Sequence, residues 1–167
     1  MLTTRLLLAL VFIPMIVEAR LAAVNERVQL ARGGIEPPGD VYAIMRIAYP
    51  GVFLAMIAEG AWWPGHEHVL AGVTLFVGAK ILKAWAIASL GDAWTFRVVV
   101  RPGVPLVASG LYRWLRHPNY VAVVGELVGV ALMSGARIAG PLGTILFGLL
   151  MLRRISVEER ALRACSR

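Results

Sequence analysis

VLAGVTLFVGAKILKAWAIASL, residues 69–90, decides what kind of protein this is. Lys80 and Lys83 are its only charged side chains. At about 1.5 Å per helical residue the stretch is long enough to cross about 30 Å of hydrocarbon. Composition points the same way, because 59% of the chain is hydrophobic against about 45–50% in ordinary soluble domains. Working outward, four further apolar runs occupy residues 2–23, 43–61, 118–134 and 138–152. Pro14 lies inside the first, and the Pro50-Gly51 pair in the second predicts a kink. The last two are short for a bilayer and predict a short helical hairpin. The expected fold is all-α: a polytopic integral membrane bundle of about five transmembrane helices, forming a single domain over residues 1–167. Residues 1–90 would carry three N-terminal helices; residues 91–167 would carry a polar loop, the hairpin and a tail. Residues 2–23 have a basic end at Arg5, as a signal peptide would. More apolar chain follows, however, and a retained helix is the expectation.

Charge sets the orientation. The net charge of +7 comes from 17 Lys and Arg against 10 Asp and Glu. Outside the apolar runs, Arg27, Arg32, Arg97, Arg101, Arg113, Arg116, Arg153, Arg154, Arg160, Arg163 and Arg167 all fall on one side if five segments cross. Arg5 and Arg137 are left on the other. The positive-inside rule then places the long loop and the tail in the cytoplasm. Basic residues set at the ends of apolar runs suit anionic lipid headgroups rather than nucleic acid. Cys165, the single cysteine, allows no internal disulfide. His66-Glu67-His68 sits beside Trp62, Trp63 and Pro64 and reads as an interfacial turn, so no metal is expected.

Chemistry is concentrated in GLYRWLRHPNY, residues 110–120. Pro118 has no N–H to donate and a φ already suited to a first helical turn, so it opens the fourth helix. Arg116 and His117 are thereby held at a helix N-terminus, where free N–H groups and the dipole favour an anion. A second polar cluster, RRISVEER, follows the fifth apolar run at residues 153–160. Alone it reads as a solvated amphipathic helix, but a short hairpin brings it back beside residues 110–120. Glu126, inside the fourth run, is costly in a membrane. It is expected either to pair with Lys80 or Lys83 or to make a polar contact to a bound molecule. Gly125 and Gly129 have the spacing that lets helices approach closely.

Gly110-Leu111-Tyr112, Arg116-His117-Pro118-Asn119-Tyr120 and Arg154-x-x-x-Glu158-Glu159-x-x-Leu162 together resemble the isoprenylcysteine carboxyl methyltransferase family, integral-membrane enzymes that use S-adenosylmethionine. The resemblance implies that Tyr112, His117, Pro118, Asn119 and Tyr120 line the cofactor pocket. Val104, Pro105, Leu106 and Val107 would add backbone contacts, and Glu158 would hold the cofactor from the tail. Arg154 would face the acceptor, with Arg154 and Glu158 as the catalytic pair and Glu126 as a further substrate contact. The implied partners are membrane lipid and a lipophilic acceptor, methylated on a carboxylate or hydroxyl oxygen: an isoprenylcysteine-like molecule or a long-chain polyketide such as an alkylpyrone or alkylresorcinol. Val104 stands where the family often has histidine, Ala122 where it usually has glycine, and no Phe-Gly-x-x-Tyr-type tail follows Leu162. Two alternatives are an NADPH-dependent membrane reductase of the sterol-reductase type and a non-enzymatic lipid-binding bundle. The distance from Tyr120 to Glu126 and the tail glutamates favour the methyltransferase.

Overall fold

The computed structural model describes residues 2–63, 68–105 and 110–165. Among the described residues five α-helices form: α1 Leu2–Ala31, α2 Tyr42–Trp62, α3 Val69–Leu90, α4 Pro118–Ser134 and α5 Ala139–Cys165. Single 3₁₀ turns at Gly91–Ala93 and Gly110–Arg113 interrupt the long connection between α3 and α4. Four helices, α1, α2, α3 and α5, are long and apolar enough to span a bilayer; α4 is shorter. Large apolar side chains such as Ile13 and Val17 on α1, Ile81 on α3, and Ile145 and Leu149 on α5 are exposed, as the surface of an integral membrane protein requires.

Two helices outrun their apolar sequence. Helix α1 does not stop near residue 23 but continues to Ala31, and the added turns are held by polar side chains. The Asn25 amide donates to the carbonyls of Gly91 (3.2 Å) and Trp94 (2.8 Å), and the Gln29 amide to that of Asp92 (2.9 Å). Helix α5 likewise continues past residue 152 to Cys165. Arg154 and Val157 of that extension are buried while Arg153, Ser156 and Arg160 face outward. The expectation of two short helices therefore holds for α4, with 17 residues, and is corrected for α5, with 27. Hydropathy reads only the lipid-facing part of a helix, so amphipathic turns beyond the membrane escaped it.

Small residues let α3 and α4 pack closely. A Cβ on Gly72 would stand 2.7 Å from the Gly129 carbonyl oxygen, and one on Gly129 would stand 2.9 Å from the Phe76 Cβ. Close backbone approach is how helices gain van der Waals contact where hydrophobic expulsion is absent. Helix α4 ends at Gly135, left-handed at φ +69°, and α5 begins under a cap supplied by another helix. Glu59 on α2 accepts the N–H groups of Arg137 (2.8 Å), Ile138 (2.9 Å) and Ala139 (2.6 Å). At the opposite end, the connection between α1 and α2 joins the connection between α3 and α4 through an antiparallel bridge of Ile35 with Val100. The C-termini of α1, α3 and α5 and the N-termini of α2 and α4 meet there.

Candidate active site

The start of α4 is built as its sequence predicts. Pro118 is the first helical residue and His117 the N-cap, with no side-chain capping bond. The helix accordingly presents His117, Asn119 and Tyr120 to the polar end. The Gly110–Arg113 turn docks onto the end of α3 through Gly110, whose φ is +59° and whose Cβ, if present, would lie 2.4 Å from Ser89 Oγ. Only glycine suits both that backbone and that contact. The docking carries Tyr112 into reach of α5. Burial and, after it, the Glu158 carboxylate push the Tyr112 phenol up to about 12.

Helix α5 closes the site. Arg154, 8% exposed, donates from Nε to the Tyr120 hydroxyl at 2.9 Å, and Tyr120 donates to Glu158 Oε2 at 2.9 Å. At the next residue, Glu159 Oε1 lies 3.5 Å from His117 Nε2, and the His117 and Tyr120 rings are 5.5 Å apart. Asn119 keeps a buried Oδ1 that accepts no hydrogen bond among the described residues. Residues separated by more than thirty positions thus form one hydrogen-bonded chain, Arg154 to Tyr120 to Glu158.

Deeper in the bundle lies a separate polar cluster. Glu126 Oε1 is 3.2 Å from both Lys80 Nζ and Lys83 Nζ, and Glu18 reaches the same two lysines at 2.8 and 2.7 Å. The Tyr49 hydroxyl donates to the other Glu126 oxygen. Two carboxylates and two ammonium groups alternate in a charge-balanced ring, and removing any one would leave a buried charge uncompensated. The expected pairing of Glu126 is therefore present with both lysines. The structure places Glu126, 1% exposed, in this ring rather than beside Arg154.

The family model for isoprenylcysteine carboxyl methyltransferases (ICMT) matches residues 72–164, a segment that contains Tyr112, His117, Tyr120, Arg154 and Glu158. The chain belongs to the ICMT family. Its relatives include the uncharacterized protein YpbQ of Bacillus subtilis, 33% identical over 96% of this chain and 97% of that protein. An uncharacterized protein of Haemophilus influenzae is 25% identical over 83% of this chain and 82% of its own. Protein-S-isoprenylcysteine O-methyltransferase B of Arabidopsis thaliana is 30% identical over 66% of this chain and 59% of that enzyme. The two bacterial relatives match along most of their length, whereas the chain spans about 59% of the plant enzyme.

Of the ICMT-like residues expected from sequence, Tyr112, His117, Pro118, Asn119, Tyr120, Arg154 and Glu158 converge on the polar end of α4 and α5. Val104 and Pro105 are exposed on the connection, Val104 at 44%. Leu106 and Val107 lie outside the described residues, as do His66 and Glu67. Sequence reasoning missed three participants. Glu18 was an unremarked carboxylate in the first apolar run, itself a signal of intramembrane function or pairing. Tyr49 carried no signal, since tyrosine is ordinary in such helices. Asp40, in a turn-rich loop, lies 3.8 Å through Oδ1 from Arg154 Nη1. An aspartate just ahead of a helix is a capping signal, but nothing in that signal points to Arg154.

Proposed function

We propose that this protein is an S-adenosylmethionine-dependent O-methyltransferase acting on a lipophilic acceptor at the polar end of its bundle. The observation that carries the reading is the Arg154–Tyr120–Glu158 chain, three side chains of the family-matched segment drawn together from α4 and α5. The residues fit the cofactor. The unbonded Asn119 Oδ1 and the carboxylates of Glu158 and Glu159 are acceptors for its amino and hydroxyl groups, and carboxylates and tyrosine faces suit a sulfonium cation. Bound there, S-adenosylmethionine would supply an electrophilic methyl carbon to an acceptor oxygen already in its anionic form, a carboxylate or a hydroxyl that has given its proton to water, and the new C–O bond would form as the C–S electron pair returned to sulfur.

The chain's own residues have four tasks in this reading. Glu158, tied to Tyr120, holds the cofactor's polar groups. Tyr112, kept as a neutral phenol, and Tyr120 wall the site. His117, restrained against Glu159, marks the helix end where a carboxylate is favoured. Arg154 offers a planar fork to the acceptor oxygen, so that alignment supplies most of the acceleration. Apolar surface continues to the site's edge: Val121, next to Tyr120, and Leu152, near Arg154, are 54% and 62% exposed. A tail in the lipid can therefore stay there while its head is methylated. Isoprenylcysteine-like carboxylates and long-chain polyketide hydroxyls both fit that description. The arginine bias of this end supports a cytoplasmic site, in this reading at a bacterial inner membrane.

Calorimetry with detergent-purified protein tests the reading. Saturable binding of S-adenosylmethionine, without binding of NADPH, is the expected result, followed by transfer of a labelled methyl group to a lipid acceptor. Binding of NADPH alone would make the protein a reductase.

A further inference from the structure

Asp40 belongs to the α1–α2 connection, outside the family-matched residues 72–164. We propose that it is a positioning residue for methyl transfer, setting the orientation of the Arg154 guanidinium. The proposal rests on the function proposed above, and it deepens that function by bringing the N-terminal part of the chain into the site.

Arg154 is 8% exposed, and a guanidinium so far removed from water needs a carboxylate close by. Among the described residues Asp40 is the only one within ion-pair distance, with Oδ1 3.8 Å from Nη1. Glu158 is bonded instead to Tyr120. Asp40 is itself anchored through both carboxylate oxygens. Its Oδ1 accepts the Tyr42 N–H at 3.1 Å and its Oδ2 the Val98 N–H at 2.9 Å, so two separate backbone segments grip one carboxylate. Those segments are in turn tied together. Ile35 and Val100 exchange backbone hydrogen bonds of 2.8 and 3.0 Å, and Arg97 Nη1 lies 2.9 Å from Glu36 Oε2. A carboxylate held this firmly cannot follow Arg154, so Arg154 must turn to it.

The consequence is geometric. With Nε bonded to the Tyr120 hydroxyl and the Asp40 charge drawing Nη1 from 3.8 Å, an ion-pair distance longer than a hydrogen bond, the guanidinium is biased toward one orientation and Nη2 is left to meet an acceptor oxygen. Without the Asp40 charge, Arg154 would keep one anchor, Tyr120, and could swing about it. Misplacement by about 1 Å is enough to cost about a hundredfold in rate.

Asp40→Asn keeps the side-chain shape and an oxygen for one backbone N–H while removing the charge. Methyl transfer to a lipid acceptor and calorimetric S-adenosylmethionine binding are measured for the wild type, Asp40→Asn, Arg154→Gln and the double variant. The expected result is a fall of about tenfold to a hundredfold in kcat/KM for the acceptor, with cofactor Kd unchanged within about twofold. Asp40→Asn should add nothing once Arg154 is already Gln. An undiminished effect in the Arg154→Gln background, or an equal loss of cofactor binding, would overturn the proposal. If Asp40→Asn does not accumulate as folded protein, Asp40→Glu, which shifts the charge by one methylene, must show the same split between acceptor and cofactor. A wild type that neither binds the cofactor nor transfers methyl removes the proposed function, and this proposal with it. An active wild type with an unimpaired Asp40→Asn removes Asp40 alone.

Discussion

Tyr120 on α4 donates its phenolic hydrogen to Glu158 on α5 at 2.9 Å. That bond joins the two helices at the site and holds the Glu158 carboxylate in place. Tyr120→Phe removes it together with the bond from Arg154. Hydrogen bonds to charged groups contribute about 1.5–3 kcal/mol each. The Kd for S-adenosylmethionine should therefore rise about tenfold or more by calorimetry. An unchanged Kd would mean that Glu158 is placed by something other than Tyr120.

The buried ring should behave as a unit. Glu126→Gln leaves Lys80 and Lys83 to share Glu18 alone, and the expected loss is about 3 kcal/mol. Adding Lys83→Met restores charge balance and should recover part of that loss. Thermal denaturation of the single and double variants in detergent checks both statements; a double variant no more stable than Glu126→Gln would refute the coupling.

Two glycines should respond in opposite ways. A Cβ on Gly60 would stand 2.0 Å from the Ser134 carbonyl oxygen, which is backbone and cannot step aside. Gly60→Ala should therefore cost about 2 kcal/mol or more, or prevent folding. Gly78, inside α3, has nothing within 4 Å of its Cβ position. Gly78→Ala should raise stability by about 0.5–1 kcal/mol, through the helical preference of alanine. Melting temperatures of the two variants, measured side by side, provide the check.

Alkaline pH should weaken the fold through Tyr112. Its phenol titrates near 12 in the folded protein against an ordinary 10.0. The folded state therefore holds a proton that the unfolded chain gives up first. Stability from this group is complete below about pH 10 and is lost as pH rises toward about 12. Melting temperature should fall more steeply across that window in the wild type than in Tyr112→Phe. Parallel slopes would show that Tyr112 is not screened from solvent.

Much of this protein was legible without coordinates because a membrane makes hydropathy a strong constraint: a spanning backbone must satisfy its own polar groups, and a long continuous apolar run does so as a helix. Residues 69–90 became α3 with both ends as read, and Pro118 opened α4 because proline can do little else in such a run. The extension of α1 was not legible. Asn25 and Gln29 look like loop residues until Gly91, Trp94 and Asp92 are beside them.

The same division runs through the site. Residue type alone marked Arg116, His117 and Pro118 at the start of a helix; it was the family resemblance that singled out Tyr112, Asn119, Tyr120, Arg154 and Glu158. Partnership required the fold. Glu126 faces two lysines, Glu18 closes their ring, and Asp40 stands against Arg154 through the packing of helices distant in sequence. Hydropathy and local chemistry act over a few residues and can be read along the chain. Ion pairing acts across space, so only tertiary structure decides which of several carboxylates meets a given arginine or lysine.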